Sequence, residues 1–246
     1  MKIKQAVILV GGRGTRLKPY TNKLPKPLVK VNNVSFCDYL LKSLIDNGIT
    51  KILFLTGYKH SLFKKKYKDN KSLKFNFSYA STNCKTGYRL INAENYLEGN
   101  FLLLYGDNYL KFDLSKMINF KKKYKAKITC TVFKNDNGTG EYGDENNIFF
   151  NKNNLIQKYD KSRKSPKLNG VNIGYYLISK NSINFDVKKN IALEDLIFDN
   201  LKSKKNIYSF PVKDQYYYIT SRKSLKNFEK IVKKKKINFL NSFNEK

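Results

Sequence analysis

Three observations predict an α/β domain built on a mainly parallel sheet covered by helices on both faces. Apolar runs with strand character, such as Ala6–Val10, Lys51–Thr56 and Phe101–Tyr105, alternate with stretches of helical periodicity. The runs are continuous in the manner of strands buried on both faces. A glycine-bearing loop, Gly11–Leu17, follows the first run directly. In an open sheet of this class, ligands gather outside the carboxyl ends of the strands.

The elements follow in order. Ala6–Val10 is the first strand. A helix is expected over Ser35–Asn47, with Ser35 and Asp38 spaced as a capping box, an apolar stripe of Phe36, Tyr39, Leu40, Leu44 and Ile45, and Gly48 as its stop. Lys51–Thr56 is a second buried strand, and Gly57-Tyr58-Lys59 leads into a short basic helix. Phe75–Tyr79 reads as a strand, Tyr88–Tyr96 as a helix, and Phe101–Tyr105 as a strand ending at Gly106-Asp107. A helix around Leu114–Tyr124 and a strand at Ile128–Phe133 complete the first half.

Regularity breaks over the polar, glycine-bearing stretch 135–147. Beyond it, Asn147–Phe150 and Leu155–Tyr159 read as a hairpin, Val171–Ser179 as a strand and Leu193–Leu201 as a helix. Ile207–Val212 and Tyr216–Thr220 are short strands, and Ser221–Val232 is an amphipathic helix before a lysine-rich tail. With no repeat and no Pro/Gly/Ser linker, a single domain over 1–233 is expected. Its halves meet near residue 133, and 234–246 forms a basic tail.

Composition narrows the classes of function. The chain has 246 residues, 41% of them hydrophobic and 14% aromatic, enough for a packed core. No apolar run nears the roughly 20 residues that span a bilayer, so membrane insertion is not expected. The start, MKIKQAVILVGG, reads as a strand and not as a signal peptide. Cys37, Cys84 and Cys130 are isolated, with no metal-binding spacing, which points to a reducing compartment, the cytoplasm. A formal charge of +30 invites a nucleic-acid reading. Of the 49 cations, however, only Arg13, Arg16, Arg89, Arg163 and Arg222 are arginine, and lysine is spread along the whole chain and not gathered into an arm. No nucleic-acid partner is expected. Where lysine is the default cation, arginine is the exception to explain: Arg13, Arg16 and Arg89 lie in loops or motifs that resemble nucleotide-handling elements, where a rigid fork of donors fits phosphate better than a lysine does.

The glycine loop carries the chemistry. A buried strand ending in Gly11-Gly12-Arg13-Gly14-Thr15-Arg16 leaves backbone N–H groups uncovered, which suits phosphate. It is not a P-loop, since no Gly-Lys-Ser/Thr closes it, and the dinucleotide spacing is absent. Asp107 ends an apolar strand, where an unpaired carboxylate is costly; it caps a helix or meets a cation, and a hard oxygen beside phosphates suits Mg²⁺.

The full string GGRGTRLKPYTNKLPKPLVKV resembles the signature of the sugar-1-phosphate nucleotidyltransferases, roughly GGxGTRLxPxTxxxPKPLxxV. The resemblance implies a Rossmann-like, mixed but mainly parallel sheet with a small β-hairpin extension. It also implies NTP and a sugar 1-phosphate as partners and Mg²⁺ as cofactor, and it leaves a homo-oligomer open. Thr86-Gly87-Tyr88-Arg89-Leu90 takes the place of the segment that packs on the base, in a form like the cytidylyltransferase branch. LLLYGDNYL, TVFKND and QKYDK look instead like a hexose- and heptose-1-phosphate group that often uses GTP, and the balance favours GTP.

Carried over residue by residue, the resemblance gives catalytic roles to Arg16, Lys26 and Asp107. Leu9, Gly11, Gly12, Arg13, Gly14, Thr15, Thr86 and Gly87 are then nucleotide-binding, and Lys161, Asn172 and Gly174 hold the sugar phosphate. The family's second acidic metal ligand is missing: Tyr218 stands in its place, in Tyr218-Ile219-Thr220-Ser221. Either Asp214 substitutes as a metal ligand, or Asp107 holds the metal with phosphates and water, or the protein is weakly active. In the last case the alternative function is a non-catalytic nucleotide-sugar-binding relative. The expected product is an NDP-sugar for surface glycan. His60, in a basic segment, is expected to be solvated.

Overall fold

The computed structural model describes residues 2–135, 145–198 and 206–239. From the N-terminus, β1 (Gln5–Leu9) is buried throughout and runs into the glycine loop, followed by α1 (Tyr20–Lys23). A small ribbon of β2 (Lys30–Val31) and β3 (Val34–Ser35) precedes α2 (Phe36–Asp46). Strand and helix then alternate through β4 (Lys51–Thr56), α3 (His60–Lys66), β5 (Lys74–Tyr79), α4 (Thr86–Ile91) and β6 (Asn100–Tyr105). After β7 (Asn108–Tyr109) come α5 (Leu114–Lys123) and β8 (Ile128–Lys134). The hairpin strands β9 (Ile148–Phe150) and β10 (Ile156–Tyr159) lead to the long β11 (Gly170–Ser179). Finally come α6 (Leu193–Phe198), β12 (Ile207–Val212), β13 (Tyr217–Tyr218) and α7 (Arg222–Lys235).

The main sheet runs β10-β9-β11-β6-β1-β4-β5, with β8 on β11 and β12 on β8. β1 is flanked by parallel β4 and β6, and β5 extends the parallel edge. β11 runs antiparallel to both β6 and β8, which makes the sheet mixed. Alternation along each central strand divides the core between the two faces. Ala6, Ile8, Leu102 and Leu104 pack on the face covered by α2 and α7 residues such as Phe36, Leu40 and Phe228. Val7, Leu9, Phe101 and Leu103 pack on the other, with Leu90, Leu193 and Ile197. Because β1 is central and buried, its carboxyl end opens into the middle of the sheet, and the loop that follows has strand ends on either side.

Several local expectations are corrected. Ser35 precedes α2 in the capping position, but its side chain makes no capping hydrogen bond. Asp38 turns inward instead, accepting from the Tyr67 hydroxyl at 2.8 Å and pairing with Lys66 at 2.9 Å. A buried carboxylate gains more from those two donors than from one backbone N–H at a helix end. The helix expected at Tyr88–Tyr96 starts at Thr86, stops at Ile91 and resumes as a single 3₁₀ turn at Glu94–Tyr96. His60 is half-buried, with Nδ1 2.7 Å from the Thr56 hydroxyl and its ring against Phe77 and Tyr79. Burial, and then Lys64, lower its pKa. Ser221 caps the last helix through a reciprocal bond with Ser224, and that helix continues to Lys235. The polar stretch 136–144, the end of the helix expected at Leu193–Leu201 and residues 240–246 of the tail lie outside the described residues.

Asp38→Ala is expected to lower the unfolding free energy by about 3 kcal/mol, because it removes the partner of a half-buried lysine and an acceptor of a buried hydroxyl. Ser35→Ala, which loses no cap bond, should change it by less than about 0.5 kcal/mol. Urea unfolding followed by circular dichroism measures both; equal losses would restore the capping reading.

Candidate nucleotide site

The glycine loop is held from behind by Arg89. This side chain is 3% exposed and has no carboxylate partner among the described residues. Its guanidinium donates to the carbonyls of Thr56 (2.6 Å), Ala80 (2.8 Å) and Ser81 (2.7 Å). Those carbonyls lie at or just beyond the ends of β4 and β5, so one planar fork ties two strand ends together. The same guanidinium lies flat against Gly11 and Gly57: a Cβ on either would come within 2.5 Å of it. Both residues must therefore be glycine. Tyr58 N–H donates to the Gly11 carbonyl, which fixes the loop's first residue across β4. Arg89 was expected to present its fork to phosphate, but its donors are turned to the protein backbone instead.

In front of Arg89 the backbone is open. The amides from Gly11 through Thr15 find no acceptor among the described residues, while the Gly14 carbonyl is tied to the Thr21 hydroxyl at 2.9 Å. Gly11, Gly12 and Gly14 border a cavity of about 210 Å³ lined also by Leu9, Lys26, Thr86, Arg89, Tyr105 and Asp107, among others. Seven residues expected at the site thus meet in one place: Leu9, Gly11, Gly12, Gly14, Lys26, Thr86 and Asp107. Within it Lys26 donates to Asp107 Oδ2 at 2.8 Å, with the two side chains 12% and 27% exposed. The pair joins sequence positions 81 apart: Asp107 lies just beyond the end of β6, and Lys26 on the 3₁₀ turn Lys26–Leu28.

Other expected residues stand around the cavity and do not line it. Arg13, Thr15 and Arg16 are exposed on the loop, and Arg13 reaches across to the Thr82 hydroxyl at 3.1 Å. Gly87 is buried against the backbone of 191–192, where a Cβ would come within 2.6 Å of the Ala192 carbonyl. Lys161 is exposed on the turn after β10. Asn172 bonds within the protein: Oδ1 accepts from Gly174 N–H, and Nδ2 donates to the Tyr176 hydroxyl at 2.6 Å. Gly174, at φ +82°, sits where β11 shifts register between Asn172 and Tyr176, and a Cβ there would fall 2.4 Å from the Tyr105 ring.

The two acidic positions weighed for a second metal ligand separate clearly. Asp214 is exposed and lines a different cavity, with Asp46 and Asp113, away from Asp107. Tyr218 pairs with Asn108 across β13 and β7, and Ile219 N–H donates to the Asp107 carbonyl at 3.1 Å. The segment is thus beside Asp107, with a phenol where an acid was sought. No group of three or more metal-ligating side chains occurs among the described residues. The three cysteines are free. No described helix is long and apolar enough to cross a membrane.

Two contributors were missed from sequence. Tyr105, the last residue of β6, forms a wall of the cavity beside Asp107, and its hydroxyl donates to Glu194 of α6. Tyr105 could have been found as the strand residue preceding Gly106-Asp107. Nothing in the sequence marks Glu194, which comes near only because 191–193 packs on Thr86–Tyr88.

A loop of open amides, with a lysine and a carboxylate paired in the cavity before it, makes a candidate site for a phosphate-rich nucleotide. The chain belongs to the nucleotidyl transferase family, whose pattern matches residues 5–221. It is 28% identical over 205 residues to the D-glycero-α-D-manno-heptose 1-phosphate guanylyltransferase of Campylobacter jejuni, covering 82% of this chain and 88% of that one. It is also 28% identical over 212 residues to the mannose-1-phosphate guanyltransferase of Saccharomyces cerevisiae, covering 84% of this chain but 58% of that longer protein. HddC from Yersinia pseudotuberculosis, complexed with GMP-PN, shares the fold with a TM-score of 0.75 at 23% identity, covering 93% of this chain and 99% of that one. A putative glucose-1-phosphate thymidylyltransferase from Bacillus anthracis does so with a TM-score of 0.82 at 18% identity, covering 98% and 99%. The mixed, mainly parallel sheet flanked by helices is the fold these proteins share.

Arg89→Lys keeps the charge but cannot serve three carbonyls with a planar fork. It is expected to cost about 2–4 kcal/mol of stability and at least fivefold in NTP affinity. Urea unfolding and a fluorescence titration with nucleotide measure the two effects, and wild-type values in both would remove Arg89 from its structural role.

Proposed function

We propose that this protein transfers a nucleotidyl group from an NTP to a sugar 1-phosphate, giving an NDP-sugar and pyrophosphate. GTP is favoured over CTP, and a heptose or hexose is the sugar, with surface glycan the destination. The observation that carries the reading is the Lys26–Asp107 pair under a loop of five open amides. Relatives that are heptose- and mannose-1-phosphate guanylyltransferases support the choice of base and sugar. Buried, unpaired Cys37 and Cys130 are consistent with work in a reducing cytoplasm.

The chemistry needs positioning and charge neutralisation, and no covalent intermediate. An oxygen of the sugar phosphate bonds to the α-phosphorus of the NTP. The bond from that phosphorus to the oxygen bridging toward the β-phosphorus breaks, and pyrophosphate leaves with the electron pair. The nucleophile is already an anion at neutral pH, so no general base is required. The amides of Gly11–Thr15 cradle the triphosphate, with Leu9, Thr86 and Gly87 toward the nucleoside. Arg13, Arg16 and Lys26 offset its charge, with Arg13 and Arg16 free to swing in from solvent. Lys161 holds the attacking phosphate, and Asn172 with Gly174 shapes the backbone beside the sugar.

Mg²⁺ fits this site as a metal that arrives with the triphosphate. Asp107 offers one carboxylate oxygen beyond the one bound to Lys26, and a Mg²⁺ ion commonly takes one or two carboxylates together with phosphates and water. When bound, it would neutralise phosphate charge between the two substrates. Among the described residues no second carboxylate lines the cavity, which is the one observation favouring a weakly active or non-catalytic nucleotide-sugar-binding relative.

Pyrophosphate release across a panel of NTPs and sugar 1-phosphates separates the two readings. Turnover with at least one pair is expected, fastest with GTP; binding without turnover would favour the second. Arg16→Ala and Lys26→Ala should each lower kcat/KM by about 10²–10³, Asp107→Asn should abolish metal-dependent turnover, and Lys161→Ala should chiefly raise KM for the sugar phosphate.

A further inference from the structure

A loop that offers N–H groups to phosphate works only while its peptide planes keep one orientation. In a trans peptide each carbonyl points opposite to the N–H of the next residue, so turning one plane over aims an oxygen at the anion. Glycine resists such a turn least, because no Cβ hinders it. Two carbonyls of the glycine loop are pinned against it. Gly11 C=O accepts from Tyr58 N–H at 3.0 Å, and Gly14 C=O accepts from Leu17 N–H and from the Thr21 hydroxyl, both at 2.9 Å. The N–H groups of Gly12 and Thr15 therefore point the opposite way, away from Tyr58 and Thr21.

The two pins form one assembly. The Tyr58 hydroxyl is shared between the carbonyls of Thr21 at 3.0 Å and Asn22 at 3.2 Å. Tyr58 thus holds Gly11 with its backbone and Thr21, 37 positions away, with its side chain. Thr21, in α1, is 2% exposed, and its methyl fills the space beside Gly14, whose φ is +63°. A Cβ on that glycine would come within 3.0 Å of the Thr21 methyl and 3.1 Å of Lys26 Cβ, so Thr21, Gly14 and the stem of Lys26 pack as a unit. Lys26 in turn donates to Asp107 at 2.8 Å. Neither Thr21 nor Tyr58 is among the residues that line the nucleotide cavity, so both act on it through the loop.

We propose that Thr21 and Tyr58 are positioning residues for phosphate binding, holding the Gly11 and Gly14 peptide planes so that the amides of Gly12 and Thr15 face the triphosphate. The inference rests on the nucleotide-binding part of the proposed function and deepens it. Without the Thr21 hydroxyl the Gly14 carbonyl keeps a single donor, and its plane is free to turn. What is lost is grip on the phosphates and not on the base.

Equilibrium titrations of the full chain test it, with GTP, or whichever NTP of a panel the wild type binds most tightly, and with the matching nucleoside. Thr21→Val keeps the methyl beside Gly14 and removes only the hydroxyl. It should weaken NTP binding about fivefold or more, and Tyr58→Phe, which keeps the N–H bond to Gly11, about threefold or more, each within reach of one net hydrogen bond. Nucleoside affinity should stay within about twofold in both variants, and Thr21→Ser, which restores the donor, should return NTP affinity to within about twofold of wild type. Wild-type NTP affinity in both Thr21→Val and Tyr58→Phe would overturn the proposal. So would equal losses for NTP and nucleoside, or a Thr21→Ser variant no better than Thr21→Val, since a purely structural role predicts those. If Thr21→Val shows no thermal unfolding transition, Tyr58→Phe decides; if neither shows one, both residues are structural and the proposal falls. Failure of the wild type to bind any NTP would instead strike the nucleotide reading itself, so the two failures are distinct.

Discussion

The site depends on one buried cation. Arg89 sits where β4, β5 and the glycine loop converge, and its guanidinium donates to carbonyls at or just beyond the ends of both strands. A guanidinium suits the place because its planar fork reaches several carbonyls at once and because it is only weakly hydrated. Its bulk then dictates glycine at 11 and 57, so part of what looks like a phosphate-binding glycine pattern is imposed from behind, by packing. The open amides face forward because the space at their back is full.

From that frame the charged pair follows. β1 and β6 are adjacent and parallel, so the residues beyond their ends meet, and Lys26 and Asp107 form an ion pair despite their distance in sequence. Neither charge is left alone in a partly buried cavity, where an unpaired carboxylate would be costly. The same adjacency carries Tyr105 to the cavity wall, and β11, antiparallel to β6, brings Gly174 onto its ring. β6 thus carries a parallel neighbour, β1, on one side and an antiparallel one, β11, on the other.

The mixed direction of the sheet has a functional consequence. Parallel strands concentrate loop starts at one edge, which is what a phosphate site needs. An antiparallel β11 contributes side chains along its length, and its register shift falls around Gly174, which packs against the Tyr105 ring. The segment leading into α6 packs on Thr86 and Gly87.

Much of this was legible in the sequence. Continuous apolar runs such as KILFLT placed strands to within a residue, because burial on both faces leaves no other pattern. The glycine loop and Asp107 were found because each follows an apolar strand closely and phosphate chemistry restricts residue type there, and Lys26 was found through the resemblance of the longer string that contains it. Tertiary structure alone decided the rest. Asp38 left its helix cap for Tyr67 and Lys66, Arg89 turned from phosphate to carbonyls, and Asp214 fell into a separate cavity. Glu194 reached Tyr105 across 89 positions. Each outcome turns on which donors and acceptors meet after folding, and hydrogen-bond partners far apart in the chain leave no periodicity or spacing by which a sequence could reveal them.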